Sequence, residues 1–271
     1  MSYEAWMLNA MEEKGYTDTE KGLNNRLVEA IDELDFGISS LMQGVLMELI
    51  DSGYADILHE QGLNPYTQHV KFQDGSIKWV ISTLTEESGK KILMPLLSDK
   101  LEQIHIRHKD LEFKINSRKI ESVSYEELLE STYFGDCSPY INMEFVTPTA
   151  FKVDGRYRNY PTVSNIFKSL INKHDSISEK TEFYSEELIE QIENGVEIIK
   201  YRLRSTLFHL EGVRIPAFLG SITLRIKGPK QFVNLINMLA KFGEFSGVGI
   251  KCAIGMGAIE IKENRGKGDR Q

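Results

Sequence analysis

Two sets of residues in this chain have the types and spacing for phosphate chemistry: a glycine-lysine segment near the C-terminus and a handful of histidines. The segment runs Phe245-Ser-Gly-Val-Gly-Ile-Lys-Cys-Ala-Ile-Gly-Met-Gly-Ala-Ile-Glu-Ile261. Gly247 and Gly249 open it, Gly255 and Gly257 close it, and Lys251 lies between them. Glycine tolerates positive φ and admits close approach of a bulky, charged partner, so this spacing suits a loop whose amide groups face phosphates. A tight helix-to-strand turn with a bulge would give the same spacing, and spacing alone leaves both readings open. Two nucleotide motifs are excluded. A dinucleotide fingerprint needs a strand before its glycines and a helix after them, whereas the order here is reversed. A Walker loop needs Gly-Lys-Ser/Thr, and no such string occurs.

The histidines stand at 59, 69, 105, 108, 174 and 209. His105 and His108 fall in a strand-like stretch, where a spacing of three sends side chains to opposite faces. Cys137 and Cys252 are too few for a structural zinc site or a disulfide framework. No metal site and no cofactor are expected, and both cysteines are expected to be reduced thiols.

The chain has 271 residues, 41% of them apolar and 10% aromatic, which fits a folded protein of one large or two ordinary domains. No apolar run approaches the roughly 18 residues that span a bilayer, and the start lacks a secretory signal, so a cytoplasmic location without membrane contact is expected. The net charge of −8 argues at first against a nucleic-acid partner, but its distribution argues the other way. Residues 1–140 sum to −12 and 141–271 to +4. The stretch 177–199 alone carries seven acids and one lysine. Its helix at 184–194 reads as a solvated face turned away from any RNA.

These residues need elements to position them. The first 22 residues read as an amphipathic helix with Trp6, Met7 and Met11 on one side, an N-terminal extension. A strand is expected at 25–32, then a helix after Ser39-Ser40, whose hydroxyls suit an N-cap, and a second helical piece at 54–60. Thr67 to Leu84 reads as two strands joined at Asp74-Gly75, 92–102 as a helix, and 103–121 as one or two strands. The order recurs further on: strand 141–153, helix 162–173, strands 198–210 and 217–227, helix 230–242 and strand 256–262. Two copies of β-α-β-β-α-β predict an α+β protein of two tandem ferredoxin-like (RRM-like) domains. They cover 23–130 and 138–263, with a charged tail at 264–271.

The glycine segment, in this context, resembles the C-terminal signature of the CRISPR-associated repeat-RNA processing endoribonucleases (the Cas six family, RAMP superfamily). Phe145-Val-Thr-Pro-Thr-Ala-Phe-Lys152 is similar to the strand that opens the family's second domain. Ile215-Pro-Ala-Phe-Leu-Gly220 is similar to the strand before its last helix. Leu41-Met-Gln-Gly-Val-Leu46, and Leu58-His-Glu60 followed by Pro65-Tyr-Thr67, resemble its first helix and histidine-bearing segment. The resemblance runs from Arg26 to Glu263.

The resemblance implies metal-independent cleavage of CRISPR precursor transcripts within each repeat. The 2′-hydroxyl attacks the adjacent phosphate and leaves a 2′,3′-cyclic phosphate and a 5′-hydroxyl. His59 matches the family's histidine and is its implied catalytic residue; from sequence alone it reads as a helix-end histidine that caps carbonyls or meets solvent. Some members add a tyrosine where this chain has Met47 and a lysine where it has Asn64 or a neighbour in a loop one residue shorter, and Tyr54, Tyr66 or Lys71 are the candidate substitutes. For RNA contact the candidates are Lys152, Arg156, Arg158 and Lys251, with Gly247, Gly249, Gly255 and Gly257 of the loop. Arg202 and Arg204, alternating on the long strand, either join them or face water. Expected partners are repeat RNA and crRNA, with subunits of a CRISPR effector complex and a second copy of the chain as further candidates. The alternative is a non-catalytic crRNA-binding protein of the same fold.

Overall fold

The computed structural model describes residues 2–8, 36–73, 76–178, 182–210 and 212–262. The strand expected at 25–32, the turn at Asp74-Gly75 and the tail at 264–271 lie outside these residues. Among the described residues, no helix is long and apolar enough to cross a membrane.

The first half begins with strand β1 (Ser2–Leu8), helix α1 (Ile38–Leu49) and helix α2 (Ser52–Glu60). Met42, Leu46 and Ile50 fall at helical spacing on the buried side of α1. Asp51 caps α2 by accepting the N–H of Tyr54 at 3.1 Å, which fixes where the helix that carries His59 in its last turn begins. Strands β2 (Tyr66–Gln73) and β3 (Ser76–Thr83) pair in antiparallel register from Tyr66↔Thr83 to Gln73↔Ser76. Short strands β4 (Gln103–Ile106) and β5 (Leu111–Lys114) pair with each other. Strands β6 (Lys119–Ile120) and β7 (Val123–Ser124) both pair with β1.

Three expectations are corrected in this half. Residues 2–8 are not part of a helical extension but form the strand that lies between β3 and β6 in the first sheet. Over seven residues, periods of two and 3.6 are hard to separate, and pairing with β3 decides between them. Ser39 and Ser40 do not cap α1, whose N-cap is Gly37. They sit in its first turn, where the buried Ser39 hydroxyl accepts the N–H of Val70 at 3.2 Å. The helix expected at 92–102 runs instead over 86–96, because Thr85 and Ser88 close a capping box before it.

Helix α3 (Tyr125–Ser131) leads into the second half. There follow β8 (Tyr140–Thr149), the β9–β10 ribbon (Phe151–Val153 and Arg156–Arg158), α4 (Val163–Ile177) and α5 (Glu186–Gly195). The long hairpin β11 (Val196–Leu210) and β12 (Val213–Ile226), α6 (Lys230–Ser246) and β13 (Ile259–Lys262) complete it. The sheet order is β11-β12-β8-β13, antiparallel throughout. Ile166 and Leu170 of α4 and Ile236, Leu239 and Phe242 of α6 cover one face, packing on Met143, Phe145, Ile222 and Leu224. Burying each such side chain favours folding by about 1.5–3 kcal/mol. Helix α5 turns Ile189 and Ile192 into this core and leaves its glutamates exposed, as a solvated acidic face should.

The halves meet at the glycine segment. Ala253 belongs to the apolar core of the first half, while Leu84 and Leu128 belong to that of the second. The buried Gln68 side chain donates to Ser39 O at 2.8 Å and to Ala253 O at 3.2 Å, and accepts from Trp79 Nε1 at 2.9 Å. Thr67 Oγ1 donates to Phe245 O at 2.8 Å. Gly255, at φ +108, presses so closely on α1 that a Cβ there would stand 2.1 Å from Ser39 Cβ. Gly255→Ala therefore combines a left-handed backbone with a steric clash. It is expected to cost about 2–4 kcal/mol and to lower Tm by roughly 5–15 °C in a thermal melt. Gly44→Ala, in open space on α1, is the control and is expected to be neutral or stabilising.

Candidate functional site

The loop after α6 is wired to the protein itself. Gly247 N–H donates to Gly243 O at 2.9 Å, Gly249 N–H to Ser169 Oγ at 2.8 Å, Gly255 N–H to Cys252 O at 3.3 Å and Gly257 N–H to Pro148 O at 3.1 Å. A phosphate cradle built from these four amides is thus overturned, since their hydrogens already have partners. Glycine is required at 249 for close approach, because a Cβ there would lie 2.3 Å from Ala150 O at a φ of +79. The Thr147-Pro-Thr149 motif is the other half of this wiring. Thr147 Oγ1 accepts Ala258 N–H at 2.9 Å, and Thr149 Oγ1 donates to Thr147 O at 2.9 Å.

A buried lysine, which the sequence reading missed, braces the same loop. Lys173 projects from α4, and its ammonium donates to Ser246 O and Gly247 O at 3.0 Å each and to Cys252 Sγ at 2.9 Å. Charged groups are rarely buried without partners, and the carbonyls at a helix C-terminus favour a cation. On an amphipathic helix pattern a lysine reads as surface, so sequence offers no signal for this role.

Bonded in this way, the loop holds Lys251 in the left-handed region at φ 58 on the wall of a cavity between the halves. The cavity measures about 550 Å³. His59, Asn64 and Tyr66 line it from the first half, and Lys152, Tyr157 and Lys251 from the second. His59, Lys152, Gly249 and Lys251 of the expected set are thereby brought together. Arg156 and Arg158 are not. In the β9–β10 ribbon Tyr157 pairs with Lys152, and the two arginines pair with Val153 and Phe151, so alternation turns the guanidiniums to the opposite face. Arg202 lies elsewhere, on the open face of the second sheet, in a hollow with Lys200, Asn142 and Thr223.

Of the candidate substitutes for the missing tyrosine and lysine, Tyr66 is in the cavity wall beside Met47. Burial pushes its phenol up to about 12, against a smaller lowering by the Gln43 hydrogen bond. It is therefore a neutral hydrogen-bonding group at physiological pH. Tyr54, also raised to about 12 by burial, does not line the cavity. Lys71 forms an ion pair with Glu260 that ties β2 to β13. Asn64 Oδ1 is buried without a hydrogen-bond partner among the described residues. A cavity lined by an imidazole and by lysine side chains holds groups of the kinds that move a proton and steady a negative charge. Among the described residues, no group of three or more His, Cys, Asp and Glu could hold a metal ion.

The seam beside the cavity carries two perturbed groups. Burial, and then the charge of Lys71, lower His69 to about 3 from its ordinary 6.5, and its Nε2 has no partner among the described residues. Burial alone would raise Glu260, but hydrogen bonds from Lys262 and Lys71 outweigh it and hold the carboxyl at about 2.

Comparison with known proteins places this geometry in context. The family model described as CRISPR-associated endoribonuclease Cas6 matches residues 143–259. A CRISPR-associated endoribonuclease Cas6 of Streptococcus thermophilus is 34% identical over 223 residues, 82% of this chain and 90% of that relative. One of Mycobacterium tuberculosis is 34% identical over 222 residues, 82% of this chain and 70% of that relative. A solved Cas6 product complex superposes with a TM-score of 0.74 over 97% of this chain and 100% of that one, at 19% identity, a likeness of fold.

Burial lowers two histidines, His69 and His174, and the pH dependence of stability follows in part from His69. Below its ordinary value of 6.5 the unfolded chain binds a proton that the folded chain refuses until about pH 3, so stability falls as pH falls through that window. The slope contributed is at most roughly 1.4 kcal/mol per pH unit. Glu260 adds its own loss only below its ordinary 4.5, continuing towards about 2. Denaturant melts between pH 6.5 and 4.5 are expected to show the loss in the wild type and a flatter profile in His69→Gln.

Proposed function

The chain belongs to the family of CRISPR-associated endoribonucleases named Cas6, and we propose that it cuts CRISPR precursor transcripts within their repeats to give crRNA. The observation that carries this reading is the shared cavity, where His59 of the first half and Lys152 and Lys251 of the second line one wall-to-wall space. Its scaffold is two tandem ferredoxin-like domains, the first of which takes in Ser2–Leu8.

The reaction is an internal transfer. The O2′ atom of the nucleotide before the cut forms a bond to phosphorus while the bond from phosphorus to O5′ breaks. Products are a 2′,3′-cyclic phosphate and a 5′-hydroxyl. One proton must leave O2′ and one must reach O5′, so atoms balance without an oxidant or cofactor. His59, at the exposed end of α2, serves as the proton-transfer group, because imidazole can both accept and donate a proton near neutral pH. Lys251 and Lys152 stabilise the extra negative charge that develops on the phosphoryl oxygens. The rigid loop matters for the rate, since a group fixed in advance needs no reorganisation when charge appears. Arg156 and Arg158 bind the RNA backbone outside the cavity, on the other face of their ribbon.

Met47 and Asn64 stand where some members carry tyrosine and lysine, which favours a second reading: a crRNA-binding protein that does not cut. Incubating the chain with repeat RNA in chelator and mapping both new ends separates the two. Cleavage with a cyclic phosphate end is expected, and intact RNA held in a salt-sensitive complex would establish the second reading instead. Single-turnover cleavage by His59→Ala is expected to slow by about 10²–10⁴-fold. A wild-type rate in that variant would remove His59 from the reaction.

A further inference from the structure

The cavity wall carries an aromatic ring that proton transfer and charge stabilisation leave unused. Tyr157 is 39% exposed, whereas Tyr66, the other tyrosine of the lining, is 2% exposed and belongs to the core of the first half. Direct pairing of Tyr157 with Lys152 puts both side chains on one face of the β9–β10 ribbon. Lys251 completes the surroundings from the loop. A half-exposed ring with ammonium groups nearby is the combination that holds single-stranded RNA: the ring takes a base and the cations take phosphates. Volume argues for the strandedness. A cavity of about 550 Å³ is in the range that encloses small molecules, so it admits a nucleotide or two and not a duplex.

We infer that Tyr157 is a stacking platform for the base of an unpaired nucleotide next to the cut. The inference rests on the cleavage reading for the position of the cut and extends it by naming the part of the substrate that the cavity receives. RNA is read in this way when an unstacked base is splayed out onto an aromatic side chain. The stacking base orients its own ribose and phosphate. Tyr157 thus sets which phosphodiester reaches His59 while taking no part in proton transfer. Because a ring face accepts any base, the preference it imposes is for an unpaired nucleotide, strongest for a purine.

The test uses the full chain and a repeat RNA carrying 2-aminopurine at one nucleotide at a time around the cut. Stacking quenches 2-aminopurine fluorescence, a signal that a purely structural role would not move. On mixing with the wild type, quenching is expected at one position adjacent to the cut, before product forms. Tyr157→Phe is expected to retain it. Tyr157→Ala is expected to lose it and to raise KM by roughly 5- to 150-fold, with a much smaller change in kcat and an unchanged thermal melt. Unaltered quenching in Tyr157→Ala would overturn the inference, as would Tyr157→Phe behaving like Tyr157→Ala. The two readings fail separately. A wild-type chain that quenches through Tyr157 but leaves RNA intact would overturn cleavage and keep the platform; one that cuts without Tyr157-dependent quenching would do the reverse.

Discussion

The carboxamide of Gln68 is the contact on which the arrangement of the two halves depends. It is fully buried, and it grips Ser39 of α1, Trp79 of β3 and Ala253 of the glycine loop at once. Such a group is costly if any partner is withdrawn, because a buried amide left unpaired forfeits about 1–3 kcal/mol. It therefore permits one relation between α1, β2 and the loop and penalises the rest. Gly255 against Ser39 and Lys71 with Glu260 act in the same sense along the seam. The cavity exists because this seam is fixed.

From that constraint the division of labour follows. The first half supplies the group that can exchange protons, at the exposed end of a short helix where a ligand can reach it. The second half supplies positive charge on a loop with little freedom, bonded to Pro148, Thr147 and Ser169 and braced by Lys173. Neither half alone encloses the space. Met47, Asn64 and the neutral phenol of Tyr66 line the same cavity as the histidine.

Much of this was legible in the sequence where periodicity is long. The apolar stripes of α1, α4 and α6, the strands of the second half and the helix-loop-strand order around the glycines all emerge from spacing. Short elements were harder. Seven residues of β1 do not distinguish a strand from a helix until β3 pairs with them, and the capping box at Thr85 shifted a helix that hydrophobicity alone had placed later. Of the side chains that line the cavity, His59, Lys152 and Lys251 were identifiable by type and context. The glycines were identified for the wrong reason, since sequence shows that a backbone needs freedom but not whether a ligand or its own fold demands it. Lys173 and the inward turn of Tyr157 were invisible, one because burial of a lysine leaves no pattern and the other because register decides which way a three-residue strand faces.

The central claim is that one phosphodiester is addressed from both halves at the seam. The most direct measurement is a structure of the chain with a repeat RNA that lacks the 2′-hydroxyl at the cut and so stays whole. The scissile phosphate is expected within hydrogen-bonding reach of both the His59 imidazole and the Lys251 ammonium, in the cavity between the halves. A scissile phosphate lodged instead on the open face of the second sheet, against Lys200 and Arg202 and out of reach of His59, would contradict the account.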